Sequence, residues 1–378
     1  MEHLSSYFFT GAVFGTVQRL SRFVFLGFCC FWFLSPNPCF AEEPIKIGII
    51  LPLTGDMAAV GSACRDAALM AMRDSASETR NKYVLKVEDD KMIPNEVAVA
   101  AQKLIAVDKV SAIISTWSYG GTIVSPLAER SKIPHIGIAW DRRIADGDFN
   151  FLHLTPPSEF MTKFLEAFRK IGVRRVALLG IQESGSVFAL DEFERLAPNY
   201  GIEVVYRDAV IWDIKDFKSI VSRISKKNPE YLLFNLGGET LPKRILTDLR
   251  NLHAAFRFTA ITSFDIMDDL TPVDGHWYVS DSYLPDDFTA RFQESYGYNI
   301  RYGIGNFYEA TRLLIRAFES SKNGTPAEAK DELLKVKNIP SVFGETSVDE
   351  AGIFTYPAQY MKLEGGKRVP IKLDNITQ

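Results

Sequence analysis

The sequence predicts an α/β protein of two similar halves, each a mostly parallel sheet covered by helices. Apolar runs of four to seven residues recur along the chain, as at 45–51 (IKIGIIL) and 231–235 (YLLFN), and segments of helical period follow them. Strands without polar alternation are buried on both faces, and strand-helix alternation builds a parallel sheet. The same pattern restarts past Phe151, with no low-complexity linker between the halves. Crossing strands, not a flexible tether, are therefore expected to join them.

Taken in order, residues 45–51 read as a buried strand, 63–75 as a helix and 84–89 as a strand. A helix at 95–107, a strand at 112–114, a helix at 122–131 and a strand at 135–138 complete the first half. In the second, helices at 158–171, 187–200, 217–226 and 241–252 alternate with strands at 175–179, 203–209, 231–235 and 257–261. Two helices, 288–296 and 306–320, come after a strand at 277–280, and hairpin-like strands flank Gly365-Gly366 near the end.

Residues 1–41 are set apart from the fold. Arg19 and Arg22 precede an uncharged apolar block at 23–34, and small residues, Cys39 and Ala41, stand three and one positions before a cut after Ala41. That is the layout of a secretory signal peptide. Twelve apolar residues fall short of the roughly 20 that cross a bilayer, which argues against a retained anchor. Cleavage leaves 337 of the 378 residues, too many for one core of ordinary size. Of four cysteines only Cys64 stays in the mature chain, so no internal disulfide forms and apolar cores must hold the fold. A net charge of −4 argues against a nucleic-acid partner, and Arg142-Arg143 and Lys226-Lys227 read as solvated surface.

Residues 45–72 (IKIGIILPLTGDMAAVGSACRDAALMAM) resemble the opening of the branched-chain amino acid binding proteins, members of the type I periplasmic binding protein family. Residues 97–110 are similar to the family's second helix and the turn after it, and 111–138 (SAIISTWSYGGTIVSPLAERSKIPHIGI) to its binding loop, helix and fourth strand. The segment 151–160 (FLHLTPPSEF) is similar to the first crossover, and 347–354 (SVDEAGIF) to a late acidic turn. The resemblance implies a two-lobed periplasmic binding protein-like I fold with three inter-lobe crossovers. Lobe 1 is expected at 42–150 plus 282–356, and lobe 2 at 151–281 plus 357–378. It also implies a monomeric periplasmic substrate-binding component of an ABC importer, partnered by a membrane permease. An amino acid or related small organic molecule would be captured in the cleft by hinge closure. A sensory ligand-binding subunit of the same fold is the alternative.

Ligands of open parallel sheets sit beyond the carboxyl ends of the strands, beside helix N-termini with unpaired amides. Ser118, with the amides that start at Tyr119, fits that chemistry and matches the family position that binds the ligand's carboxylate, which favours ligand binding over the alternative of an ordinary helix cap. Ala139 falls where the family uses a backbone carbonyl for the ligand ammonium. Asp141 departs from the Thr or Ser usual at its position: either it attracts a ligand donor, or it pairs with Arg142 or Arg143. Trp117, Tyr119 and Trp140 cluster beside these loops as candidate aromatic walls. From lobe 2, Gly237 stands where the family carries an aromatic, and Glu239 and Asp265 are candidate ammonium partners.

Enzyme signals are poor. Residues 116–120 (TWSYG) lack the leading glycine of a hydrolase elbow, so the order Ser118, Asp265, His276 makes a weak serine hydrolase. The five histidines are scattered, with His135 and His153 reading as hydrogen-bonded packing residues, and neither a metal nor a nucleotide cofactor is indicated.

Overall fold

Strand Ile45–Leu51 (β1) turns apolar side chains both ways: Ile47 and Ile49 pack into one helical layer and Ile50 into another. The computed structural model describes residues 43–281, 283–297 and 302–377, so the expected leader lies outside the described residues. The first half continues with strands Tyr83–Asp89 (β2), Ala112–Thr116 (β3), His135–Ile138 (β4) and Asn150–Leu154 (β5). The second carries Arg175–Ile181 (β6), Glu203–Val210 (β7), Tyr231–Asn235 (β8), Arg257–Ala260 (β9) and Trp277–Ser280 (β10). After them come a small hairpin, Ile339–Ser341 (β11) with Gly344–Thr346 (β12), and the strands Ile353–Thr355 (β13), Gln359–Glu364 (β14) and Lys367–Pro370 (β15).

Two sheets organise these strands. The first runs β13-β5-β4-β3-β1-β2, and every pair in it is parallel. Helix Ala58–Ser75 (α1) covers one face, and Pro94–Lys103 (α2) with Ser118–Ser131 (α3) covers the other. The second sheet is parallel through β7-β6-β8-β9, and an isolated bridge between Ile261 and Val279 carries it on to the antiparallel strands β10-β14-β15. Helices Pro157–Lys170 (α4) and Ser184–Leu196 (α5) lie on one of its faces. Lys218–Ser225 (α6) and Thr240–Asn251 (α7) lie on the other, so Leu178 and Leu179 bury in opposite cores. A one-turn helix, Ser263–Ile266 (α8), follows β9. Asp286–Tyr296 (α9), Ile304–Ser320 (α10) and Pro326–Leu333 (α11) then return to the first sheet's α1 face.

The chain therefore passes between the lobes three times: from β5 to α4, from β10 to α9, and from β13 to β14. Two passages are tied directly, since Thr155 Oγ1 donates to the Tyr356 carbonyl at 2.9 Å in a buried setting. The first passage falls later than the step expected between residues 150 and 151. Residues 150–152 pair with β4 and 152–154 with β13, so the chain leaves the sheet only after Leu154. His153 and Asn150 disguise that strand in the sequence, but both are buried within it. The helix expected at 122–131 starts at Ser118, one turn earlier, because Gly120 and Gly121 continue the helix instead of breaking it.

Candidate functional site

The carboxyl ends of both sheets open on one cleft, whose empty volume is about 590 Å³ with the part open to solvent included. From the first sheet, Trp117 and Ser118 follow β3, Ala139 and Trp140 follow β4, and His153 and Leu154 end β5. From the second, Ile181 and Glu183 sit at the end of β6, Asn235 and Gly237 at β8, and Thr262 beyond β9. Asp281, Tyr302 and Tyr356 close the cleft along the passages between the lobes.

Ser118 is the first residue of α3 and only 2% exposed. Its predecessor Trp117 has φ 62° and ψ 153°, a region that side-chain-bearing residues rarely enter and that clusters at functional sites. The Trp117 amide donates to the Ile138 carbonyl at 3.1 Å, and its ring stacks on Tyr302 with centroids 5.9 Å apart. Held this way, the Trp117 ring forms a wall of the cleft.

Of the residues singled out from the sequence, Trp117, Ser118, Ala139, Trp140 and Gly237 come together here. Trp140 also packs at a tilt on Phe160, with centroids 5.6 Å apart, so its role is partly structural. Four others do not line the cleft. Tyr119 turns its hydroxyl to Asp90 at 3.3 Å and packs its ring into the α2–α3 core. Asp141 caps the short turn after β4 and grips Arg143, whose Nε lies 2.9 Å away, so the ion-pair alternative is the one realised. The Arg143 side chain holds the Asp141 carboxyl below its usual range. Glu239 precedes α7 and pairs with Lys243 at 3.0 Å. Asp265 accepts from Tyr278 at 2.8 Å and Ser280 at 2.7 Å behind the cleft. Burial pushes its pKa up, against the pull of nearby Arg368.

Three features escaped the sequence reading. At Gly237 an added Cβ would meet the Trp212 ring at 2.3 Å, so an aromatic from the β7–α6 loop fills the space beside that glycine. Two further residues, Glu183 and His153, line the cleft. His135 behaves as expected, with Ser115 Oγ at 2.7 Å and Asn150 Oδ1 at 2.9 Å. His153 differs: burial pushes its pKa down to about 3, and its Nε2 has no hydrogen-bond partner among the described residues. The hydrolase arrangement is not assembled, because His276 stacks on Phe258 and neither it nor Asp265 reaches the cleft that holds Ser118. Among the described residues no acidic, His or Cys cluster suits a metal ion.

Two α/β lobes joined by three passages, with the carboxyl edges of both sheets facing one aromatic-walled cleft, define a bilobed solute-binding protein. The family model described as "Periplasmic binding protein" matches residues 44–367. The Leu/Ile/Val-binding protein BraC3 of Rhizobium johnstonii is 25% identical over 362 residues, covering 87% of this chain and 94% of that protein. Among solved structures, a solute-binding protein of an ABC transporter from R. palustris, in complex with benzoate, superposes with a TM-score of 0.78 at 16% identity, covering 87% and 96% of the two chains. The leucine-binding protein LivK of Thermotoga maritima gives 0.77 at 20%, covering 87% and 98%. The chain belongs to the type I periplasmic binding proteins. Members of this family are binding proteins and not enzymes.

Proposed function

We propose that the protein captures an amino acid or a related small organic acid or amide in its cleft and delivers it to the membrane permease of an ATP-driven importer. The observation that carries this reading is the placement of Ser118 and the strained Trp117 at the tip of α3, opposite the β6 and β8 ends of the other sheet. Rotation about the three passages would shut the lobes on a guest, exclude water and strengthen each polar contact. The relatives support a small organic guest: one solved neighbour holds benzoate, and LivJ of Streptococcus pneumoniae holds isoleucine. Export is part of the same reading, with residues 1–41 removed and the mature protein working as a periplasmic monomer.

A thermal-shift screen over amino acids, amides and aromatic acids tests it. A ligand that binds only the folded state adds about 2.7 kcal/mol at a hundredfold excess over Kd, enough for a clear rise in Tm. No rise with any compound class would end the capture reading. N-terminal sequencing of the protein from the periplasmic fraction should begin at Glu42, and retention of residues 1–41 would reject the cleaved leader.

A further inference from the structure

Glu183 stands where two helix N-termini from opposite sheets converge. It is the N-cap of α5, and its carboxylate accepts from the Ser186 amide at 3.0 Å. Burial pushes its pKa up, while the amides of Ser186, Gly185 and Tyr119 favour the charged form, and Tyr119 belongs to the first turn of α3 in the other lobe. Gly185 shows how close the groups are. A Cβ built there would lie 2.5 Å from Ser118 Oγ and 3.0 Å from a Glu183 carboxylate oxygen, so both flank one point. The protein's own carboxylate thus occupies the α3 tip, and a ligand carboxylate placed there would meet like charge.

The facing wall has the opposite character. His153 is 1% exposed, and its Nδ1 receives the Asn306 amide nitrogen at 3.2 Å; with the amide in that orientation the proton sits on Nε2. That Nε2–H and the Trp117 Nε1–H are buried donors with no partner among the described residues, and both residues line the cleft. Buried donors are seldom left unmet, so an acceptor on the guest would satisfy them.

We infer that Glu183 sets the ligand class. The cleft takes a small organic molecule that presents N–H donors to the Glu183–Ser118 corner and a carbonyl or hydroxyl acceptor to His153 and Trp117, and it rejects a carboxylate at that corner. This rests on the capture reading above and narrows it.

Calorimetric titration of matched pairs tests the inference: leucine against leucinamide, benzoate against benzamide, and isovalerate against isovaleramide, on the wild type and on Glu183→Gln. For the wild type, at least one amide binds, and tenfold or more tighter than its acid. In Glu183→Gln that ratio shrinks at least tenfold, because the new amide nitrogen donates to a carboxylate. Acids that match or beat their amides on the wild type, or a ratio unchanged in the variant, would overturn the inference while leaving capture intact. Binding by no member of the panel overturns the inference too, and capture is then decided by the wider thermal-shift screen. Should Glu183→Gln fail to fold by its melting curve, Glu183→Ala takes its place with the same expected change in ratio.

Discussion

Asp56, in the loop after β1, accepts a hydrogen bond from the Thr240 hydroxyl at 2.6 Å, and Thr240 is the first residue of α7 in the other lobe. Glu183 and the first turn of α3 repeat this relationship in reverse, so each lobe lends a carboxylate to a helix N-terminus of the other. Anions are favoured at such termini, and both contacts bridge the two lobes. Asp56→Ala should therefore bias the protein toward the open form and weaken ligand affinity about fivefold, the equivalent of roughly 1 kcal/mol. Small-angle scattering of the free protein and calorimetry with ligand check this; an unchanged affinity would show that the contact contributes nothing to closure.

Ser118→Ala should weaken the best ligand by at least about tenfold while leaving the fold intact, since the hydroxyl sits at the cleft corner beside Gly185. Equal affinity in the two proteins would remove Ser118 from the contacts.

His153→Phe separates stability from binding. The Nε2 donor is unmet, and the Asn306 amide that loses its Nδ1 acceptor keeps the Tyr356 hydroxyl; Phe also keeps the ring packed against Tyr356, with centroids now 4.9 Å apart, so Tm should move by only a few degrees. Affinity should fall about tenfold as the ligand acceptor loses its donor. Because the imidazole stays neutral down to about pH 3, it adds no pH dependence to binding between pH 5 and 8. A loss of stability without a loss of affinity would make His153 a packing residue only.

Glu319, at the end of α10, holds the entry to β2. Burial pushes its pKa up, but the amides of Arg80 and Asn81 and the Tyr83 hydroxyl, 2.7 Å away, outweigh it and bring it down to about 2. A carboxyl with a lowered folded-state pKa stabilises the protein above its unfolded value near 4.5, and that contribution disappears as pH falls toward about 2. Glu319→Gln should lower Tm at pH 7 and flatten the decline of Tm below pH 4.5. Parallel wild-type and variant curves across that range would show that this carboxyl is not the source.

Much of the fold is legible in the sequence because burial on both faces leaves a local mark. The strands at 45–51, 135–138 and 231–235 are largely apolar runs, and the structure has them at those limits. Strand β5 is harder, since Asn150 and His153 interrupt its apolar character and are buried only through partners elsewhere: Glu129 and His135 for Asn150, Asn306 for His153. The site divides in the same way. Trp117 and Ser118 announce themselves by a strand-to-helix junction, whereas Asp141 looks like a ligand contact until its neighbour Arg143 is seen to hold it.

Periodicity and apolar runs determined the class of this protein, two helix-covered parallel sheets, because the choice between strand and helix is made by neighbours a few residues apart. Which polar groups meet in the cleft was decided by the tertiary structure alone. Glu183 reaches the tip of α3, Trp212 covers Gly237, and His153 faces the cavity because the separate sheets meet edge to edge. Contacts of that kind depend on how two lobes are docked, and docking is set by the summed packing of the whole chain.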